Sequence, residues 1–252
     1  MALLVTFVAL VAVAAIAAVR TRRRSGRQRA LLILCRRAGV RFSVLDPFDD
    51  TTLLPFRLFG RGEARGFENV VWDPRDDGAV RVFDYWFEER DVHGAGTKRD
   101  LTCALVPLAF GVPAIAVLPR GGEDVSREPT ETQTVTLELD EFNHRFAVHA
   151  ADARSAVAFL DQRMMEALLQ LPLRIAIHVH EDRMLLVGPT LEPGETILLL
   201  DTARALATRV PRVVASLYPP RPAEGPFEDR WMQGRWSPDP TSADPNPAEL
   251  GG

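Results

Sequence analysis

An unbroken run of apolar residues opens the chain. Residues 2–19 contain no charged side chain and one hydroxyl, that of Thr6. At about 1.5 Å of rise per residue, a helix of this length approaches the thickness of the hydrocarbon core of a bilayer. The pattern therefore predicts a single transmembrane anchor over residues 1–19.

The order of apolar and basic residues indicates which way this anchor faces. Only Met1 precedes the run, and every nearby charge follows it. The six closest arginines are Arg20, Arg22, Arg23, Arg24, Arg27 and Arg29. Because basic residues that flank a span stay on the cytoplasmic side, we expect an uncleaved anchor in the cell (inner or plasma) membrane and a cytoplasmic C-terminal domain.

Two other interpretations compete with this one. Small residues between positions 12 and 18 offer candidate cleavage motifs, and cleavage would make the protein an exported one. An amphipathic helix lying in the membrane interface fits less well, because apolar residues occupy every side of the helix.

The basic juxtamembrane segment, residues 20–41, holds nine arginines and no acidic residue. The rest of the chain is therefore acidic, although the net charge of the whole is only −4. These arginines either set topology and snorkel, or bind anionic lipid, where each base near the surface contributes about 1 kcal/mol. We favour the first role. Apolar residues at helical spacing over 30–38 predict a short helix that ends at Gly39.

Strand patterns fill the first part of the domain that follows. A turn cluster rich in Asp, Pro and Gly at 73–78 lies between apolar or alternating arms at 66–72 and 79–88, which predicts a hairpin. Further strands are predicted at 98–108, 113–118, 133–139 and 142–149. Short connections between them favour an antiparallel meander.

Helical spacing of apolar residues follows. Asp152 is placed to cap a helix that closes before Pro172, and a second helix is predicted over 201–217 with a kink at Pro211. A strand pair around the turn 181–183 lies between them. Strands first and two amphipathic helices later predict an α+β fold rather than a parallel α/β sheet.

Composition limits the class of protein. The chain has 252 residues, of which 46% are apolar and 25% charged, and this composition excludes a disordered or collagen-like chain. Its two cysteines are too few for a disulfide framework. Residues 219–252 are rich in proline and poor in apolar side chains, so we expect a disordered tail after a folded domain of residues 42–218.

Two stretches carry a resemblance to known proteins. They are FGRGEARGFENVVWDPRDDGAVRVFDYWFEE at Phe59–Glu89 and EFNHRFAVHAADARSAVAFLDQRMMEALL at Glu141–Leu169. With the anchor, they resemble an uncharacterised family of single-pass membrane-anchored proteins of high-GC Gram-positive bacteria. The shared pattern is a Gly- and Arg-rich turn, Asn-Val-Val and Phe-Asp-Tyr strands, and Phe-Asn-x-x-Phe before a helix that opens after an aspartate. The resemblance covers residues 53–217 and implies membrane location and this fold class, but no catalytic residue, because the family is a domain of unknown function.

His178 and His180 are weak candidates for a metal site. Alternate residues of a strand share one face, so both imidazoles would point the same way. Two ligands do not complete a site, however. Since Ile177 and Val179 supply the core side of this strand, we expect both histidines to face solvent.

The other motifs favour structure over chemistry. Gly60, Gly62 and Gly66 suggest a phosphate loop, but a strand follows them where a nucleotide loop needs a helix. Asp84 is a candidate acid or base, although an aspartate in such a place more often ends or bends a strand. No hydrolase elbow, Walker loop or zinc-binding helix motif occurs in the sequence, so we assign no catalytic residue and no cofactor.

The sequence therefore predicts a cytoplasmic-side binding or scaffold module of unknown biochemical activity, which we favour over an enzyme. Its expected partners are membrane lipid, through residues 1–29, and a protein. Nucleic acid is excluded because the domain is acidic and no aromatic residues accompany the arginines, and no small-molecule ligand is indicated. The first alternative is a hydrolase-like enzyme with an unrecognised site in the α+β domain; the second is an exported cell-envelope protein.

Overall fold

The computed structural model describes residues 21–22, 24–49, 54–76, 78–90, 96–121, 132–171 and 174–218. The predicted anchor (1–19) and the predicted tail (219–252) lie outside these ranges. No helix within them is both long and apolar enough to cross a membrane.

Seven strands of the described ranges form one antiparallel sheet, ordered β1-β2-β3-β4-β6-β5, with β7 also paired to β4. They are β1 (Arg41–Ser43), β2 (Ala64–Trp72), β3 (Arg81–Arg90), β4 (Gly96–Pro119), β5 (Gln133–Val135), β6 (Phe146–Ala150) and β7 (Ala176–Pro189). The helices are α1 (residues 21–22 and 24–38), α2 (Asp140–Arg145), α3 (Ala153–Phe159), α4 (Gln162–Leu169), α5 (Pro193–Arg209) and α6 (Arg212–Leu217). The predicted α+β class is confirmed, as is the antiparallel hairpin of β2 and β3.

Strand β4 lies at the centre of the sheet. Its first half pairs with β3, its second half pairs with β6, and β7 accompanies it along both halves. The register between β4 and β7 shifts on both sides of the pair formed by Val112 and Glu181. These irregularities allow a long strand to bend without ending.

Two predictions about β4 and β7 are wrong for this reason. The separate strands expected at 98–108 and 113–118 are one strand, because Pro107 and Pro113 fall where the ladder is already irregular. The turn expected at 181–183 is likewise internal to β7. Glu181 has a φ of +52° and lies opposite β4, so it bulges the strand where we had expected a hairpin.

The helices also differ from the predicted pair. Helix α2 replaces the first half of the strand expected at 142–149. The helix expected after Asp152 is divided into α3 and α4, because Asp161 caps the second piece by accepting a hydrogen bond from the backbone N–H of Met164. The predicted cap at Asp152 is confirmed.

The last predicted helix begins earlier and is divided. Glu192 and Glu195 form a capping box that starts α5 well before residue 201. Pro211 is the N-cap of α6, so the chain breaks there and does not merely kink. The predicted end of the first helix at Gly39 is confirmed, since α1 stops at residue 38 and Gly39 has a φ of +71°.

The sheet is covered on both faces. Along β3, Val82 points to a core shared with Leu31 of α1 and Leu200 of α5. The alternate residues Phe83, Tyr85 and Phe87 point to a second, aromatic core beneath residues 54–60. Because residues 81–85 of β3 are buried on both faces, this part of the strand lacks the polar alternation of a half-exposed strand.

The tyrosine of the aromatic core keeps a polar contact. The Tyr85 hydroxyl donates a hydrogen bond to the Leu58 carbonyl at 3.0 Å, and burial raises the pKa of Tyr85 to about 12. The phenol is therefore a neutral hydrogen-bond donor at physiological pH.

Helix α5 offers a matched test of the helix-side core. Leu200 is fully buried, whereas Leu198 of the same helix is 64% exposed. We predict that Leu200→Ala lowers the free energy of unfolding by about 2–5 kcal/mol, because it leaves a cavity, and that Leu198→Ala changes it by less than about 0.5 kcal/mol. Urea unfolding of the full chain in detergent measures both; equal losses would show that α5 packs differently.

Candidate functional site

Asp84 is a carboxylate placed among apolar neighbours on the helix-covered face of β3. It is 8% exposed and lies opposite Thr102 of β4 in the strand register. The Thr102 hydroxyl donates a hydrogen bond to its Oδ1 at 3.0 Å, and the Asn69 amide donates one to its Oδ2 at 2.9 Å. Neutral donors alone do not offset the cost of burying a charge, so this carboxylate needs a cation.

The cation is Arg27 of α1. Its Nε donates to Asp84 Oδ2 and its Nη2 to Oδ1, both at 2.8 Å, in the two-pronged geometry that makes arginine–carboxylate pairs strong. Arg27 also donates to the Leu191 carbonyl and, at 3.5 Å, to the Thr196 hydroxyl. One side chain thus joins α1 to the sheet and to the beginning of α5.

Asn69 reaches Asp84 because β2 bulges at this point. The pairing of β2 with β3 shifts between Glu68 and Val71, and Asn69 has a φ of +57°, a conformation that asparagine tolerates better than most residues. Its backbone N–H donates to the Val44 carbonyl at 3.0 Å. The bulge therefore presents the amide to the carboxylate.

The cluster continues into the start of α5. Thr102 Oγ1 accepts a hydrogen bond from the backbone N–H of Leu191 at 3.0 Å, and Thr196 Oγ1 donates to the Glu192 carbonyl at 3.1 Å. We name Arg27, Asn69, Asp84, Thr102 and Thr196 the Asp84 network. Each oxygen of Asp84 accepts two hydrogen bonds within it, so the geometry suits a fixed anion that holds elements together.

The six arginines predicted at the membrane surface have different positions. Arg27 belongs to the Asp84 network, and Arg24 pairs with Glu68 of β2. Arg22 and Arg29 are exposed, and together with Thr21, Ser25 and Gly26 they line a shallow depression on α1. Arg20 and Arg23 lie outside the described residues, and the membrane contact itself stays a prediction.

Helix α1 presents a distinct outer face. Apart from Arg24, which pairs with Glu68, its exposed large side chains are Arg22, Arg29, Leu32, Ile33, Arg36 and Arg37, which we name the basic face of α1. The spacing from Arg22 to Arg29, Ile33 and Arg36 keeps these residues on one side of the helix, opposite the buried Leu31. None of its arginines forms an ion pair with a residue that the structure describes.

His149 and His178 lie on the face of the sheet opposite the helices. Ala116 of β4 pairs with His178 of β7 and with His149 of β6, so these three residues share a row. His178 is only 2% exposed, and burial lowers its pKa to about 4. The expectation that His178 faces solvent is wrong: His178 and Ala116, its pairing partner in β4, are both buried.

The metal hypothesis gains no third ligand. His180 is partly buried beside His178 in β7. In the described part of the chain, no group of three His, Cys, Asp or Glu residues is placed to hold a metal ion. The two histidines therefore remain the same weak pair that the sequence indicated.

The sequence pattern missed most of the Asp84 network. It singled out Asp84 and Arg27 separately, but not Asn69, Thr102 or Thr196. One signal was present: Val82 and Asp84 alternate onto the same face of a strand, so a core-facing carboxylate required a cation, and the acid-free basic segment could supply one. The asparagine and the threonines left no such signal, because each is common in strands and caps.

Comparisons with known proteins identify a fold. No protein-family model matches the sequence, and no curated protein matches it. Among solved structures, the chain is similar to the crystal structure of the mycobacterial trehalose monomycolate transport factor A, TtfA. The TM-score is 0.53 at 15% sequence identity, and the match covers 78% of this chain and 98% of that one. At this identity the similarity shows the fold alone, and the resemblance to a family of high-GC Gram-positive bacteria still rests on its motifs.

A double-mutant cycle tests the central ion pair. We predict that Arg27→Met lowers the free energy of unfolding by about 3 kcal/mol, because it leaves the Asp84 charge buried without a cation. Adding Asp84→Leu should cost no further stability, since the double variant has no charge to compensate. Arg29→Met, on the exposed side of α1, is the control and should change stability by less than about 0.5 kcal/mol. Additive losses in the double variant would show that the pair is not coupled.

The buried histidine predicts a pH dependence. The pKa of His178 is about 4 in the folded protein, against an ordinary value of 6.5. As the pH falls, the imidazole is therefore protonated in the unfolded chain before it is protonated in the folded one. The contribution of His178 is fully present above pH 6.5, and about 3 kcal/mol of stability is lost as the pH falls from 6.5 to 4. His178→Gln should flatten this part of the stability profile, whereas His144→Gln, at an exposed position, should leave it unchanged. An unchanged slope in the His178 variant would indicate that this imidazole is not buried.

Proposed function

We propose that the protein is a membrane-anchored, non-enzymatic binding or scaffold module whose α+β domain is held at the cytoplasmic surface. The observation that carries the proposal is the ion pair of Arg27 with Asp84. Arg27 follows the predicted anchor by only eight residues of sequence, so the pair would hold the sheet close to the bilayer. The position of α1 relative to the sheet is thus fixed by a buried ion pair.

The chemistry of Asp84 supports a scaffold role. Proton transfer needs a carboxyl group that a substrate can reach. Here both oxygens are occupied by donors, and one donor is a guanidinium. The best candidate acid or base of the sequence is thus engaged in holding three elements together.

The structural neighbour indicates a process that such a module could serve. That protein is named a trehalose monomycolate transport factor. By analogy of fold, which is weaker support than a shared site, we propose that this chain also assists transport at a membrane. Its partner would be a membrane protein or a lipid.

Topology and fractionation test the proposal. The full chain should stay in the membrane fraction after carbonate extraction, and a reporter fused after Gly252 should be active on the cytoplasmic side. A chain lacking residues 2–19 should be released from membranes by a high-salt wash, whereas a chain lacking residues 220–252 should remain with them. An extracytoplasmic reporter, or membrane retention without residues 2–19 after the salt wash, would contradict the proposal.

A further inference from the structure

The basic face of α1 combines exposed arginines with exposed apolar side chains. Arginines at 22, 29, 36 and 37 surround Leu32 and Ile33, which are 37% and 52% exposed. No acidic residue lies between Arg20 and Arg41. A helix face with apolar residues inside a ring of bases has the composition of a segment that lies in a membrane interface.

Setting topology does not account for this face. The arginines nearest the anchor already satisfy the positive-inside rule. If α1 pointed straight away from the membrane, Arg36 would lie about 21 Å further along the helix axis than Arg22. That distance is more than twice the roughly 8 Å over which charges act at physiological ionic strength. Arg36 and Arg37 would then have no anionic surface within reach.

The inner side of α1 shows that its orientation is fixed. Arg24 and Arg27 project to the opposite side, where they pair with Glu68 and Asp84 of the sheet. Leu31 and Cys35 are buried on this same side. The helix therefore cannot rotate its outer arginines toward the acidic domain, and they remain available to a partner outside it.

We propose that the basic face of α1 lies flat against the anionic surface of the membrane, with the axis of the helix along that surface. The arginines contact lipid phosphates, and Leu32 and Ile33 enter the boundary between headgroups and acyl chains. This inference rests on the proposed anchoring for the nearness of the membrane. It goes further by defining which face of the domain contacts lipid and which lipids it prefers.

Photo-crosslinking from the full-length protein in lipid nanodiscs tests this placement. Benzoylphenylalanine replaces Ile33, or as a matched control Val157 of α3, which is apolar and 56% exposed. Discs contain phosphatidylcholine alone or mixed with phosphatidylglycerol. We expect a lipid adduct several-fold more abundant at position 33 than at 157, and more abundant on the anionic discs.

Charge variants separate a specific surface from general attraction. Since each arginine near an anionic surface contributes about fivefold to its occupancy, Arg29→Gln with Arg36→Gln and Arg37→Gln should lower the occupancy of the bound state roughly a hundredfold. The same net change made at Arg154, Arg163 and Arg212, exposed arginines of α3, α4 and α6, should leave the adduct unchanged.

Three results would overturn the inference. The first is equal yields of lipid adduct at positions 33 and 157. The second is a yield at position 33 that does not rise when the discs contain phosphatidylglycerol. The third is a crosslink from position 33 to a protein, and not to lipid, in native membranes. Retention of the chain in the discs tests the anchor separately. If the chain is not retained, the ratio of adducts at 33 and 157 on added anionic vesicles still decides whether this face binds lipid.

Discussion

A carboxylate buried on the helix-covered face of the sheet constrains the rest of this structure. Burying the carboxylate of Asp84 is costly unless a cation reaches it, and α1 supplies that cation through Arg27. The carboxylate also requires neutral donors for its remaining lone pairs. Asn69 at the bulge of β2 and Thr102 of β4 provide them. Asp84 thus determines where α1, the bulge of β2 and strand β4 meet.

The consequence for function is a division of the arginines into two groups. Those on the inner side of α1 stabilise the domain, and those on the outer side are available to a partner. Helix α1 can therefore pack into the folded domain with its inner side while its outer side contacts a partner. The scaffold role that we propose at a membrane would benefit from such an arrangement, because ordering a flexible linker would cost conformational entropy.

The sequence predicted the parts of this structure that depend on local signals. The hairpin of β2 and β3, the cap at Asp152 and the end of α1 at Gly39 all followed from turn and cap chemistry. Prediction from the sequence failed where strand pairing continued through residues that locally favour the end of a strand. Pro107 and Glu181 sit at facing irregularities of β4 and β7, which no periodicity reveals. His178 was expected at the surface because a single strand does not show that both faces of its sheet are covered. Asp84 and Arg27 were visible as residues, but their contact spans 57 positions of chain.

The most direct test of this account is native-state hydrogen exchange of the full chain in a bilayer. If the ion pair makes α1 part of the folded domain, the backbone amides of Leu31 and Cys35 should exchange as slowly as those of Phe83 and Tyr85 in β3, because both would open only on global unfolding. If the amides of α1 exchange orders of magnitude faster while β3 stays protected, the helix is a loosely attached linker. The central claim would then be wrong.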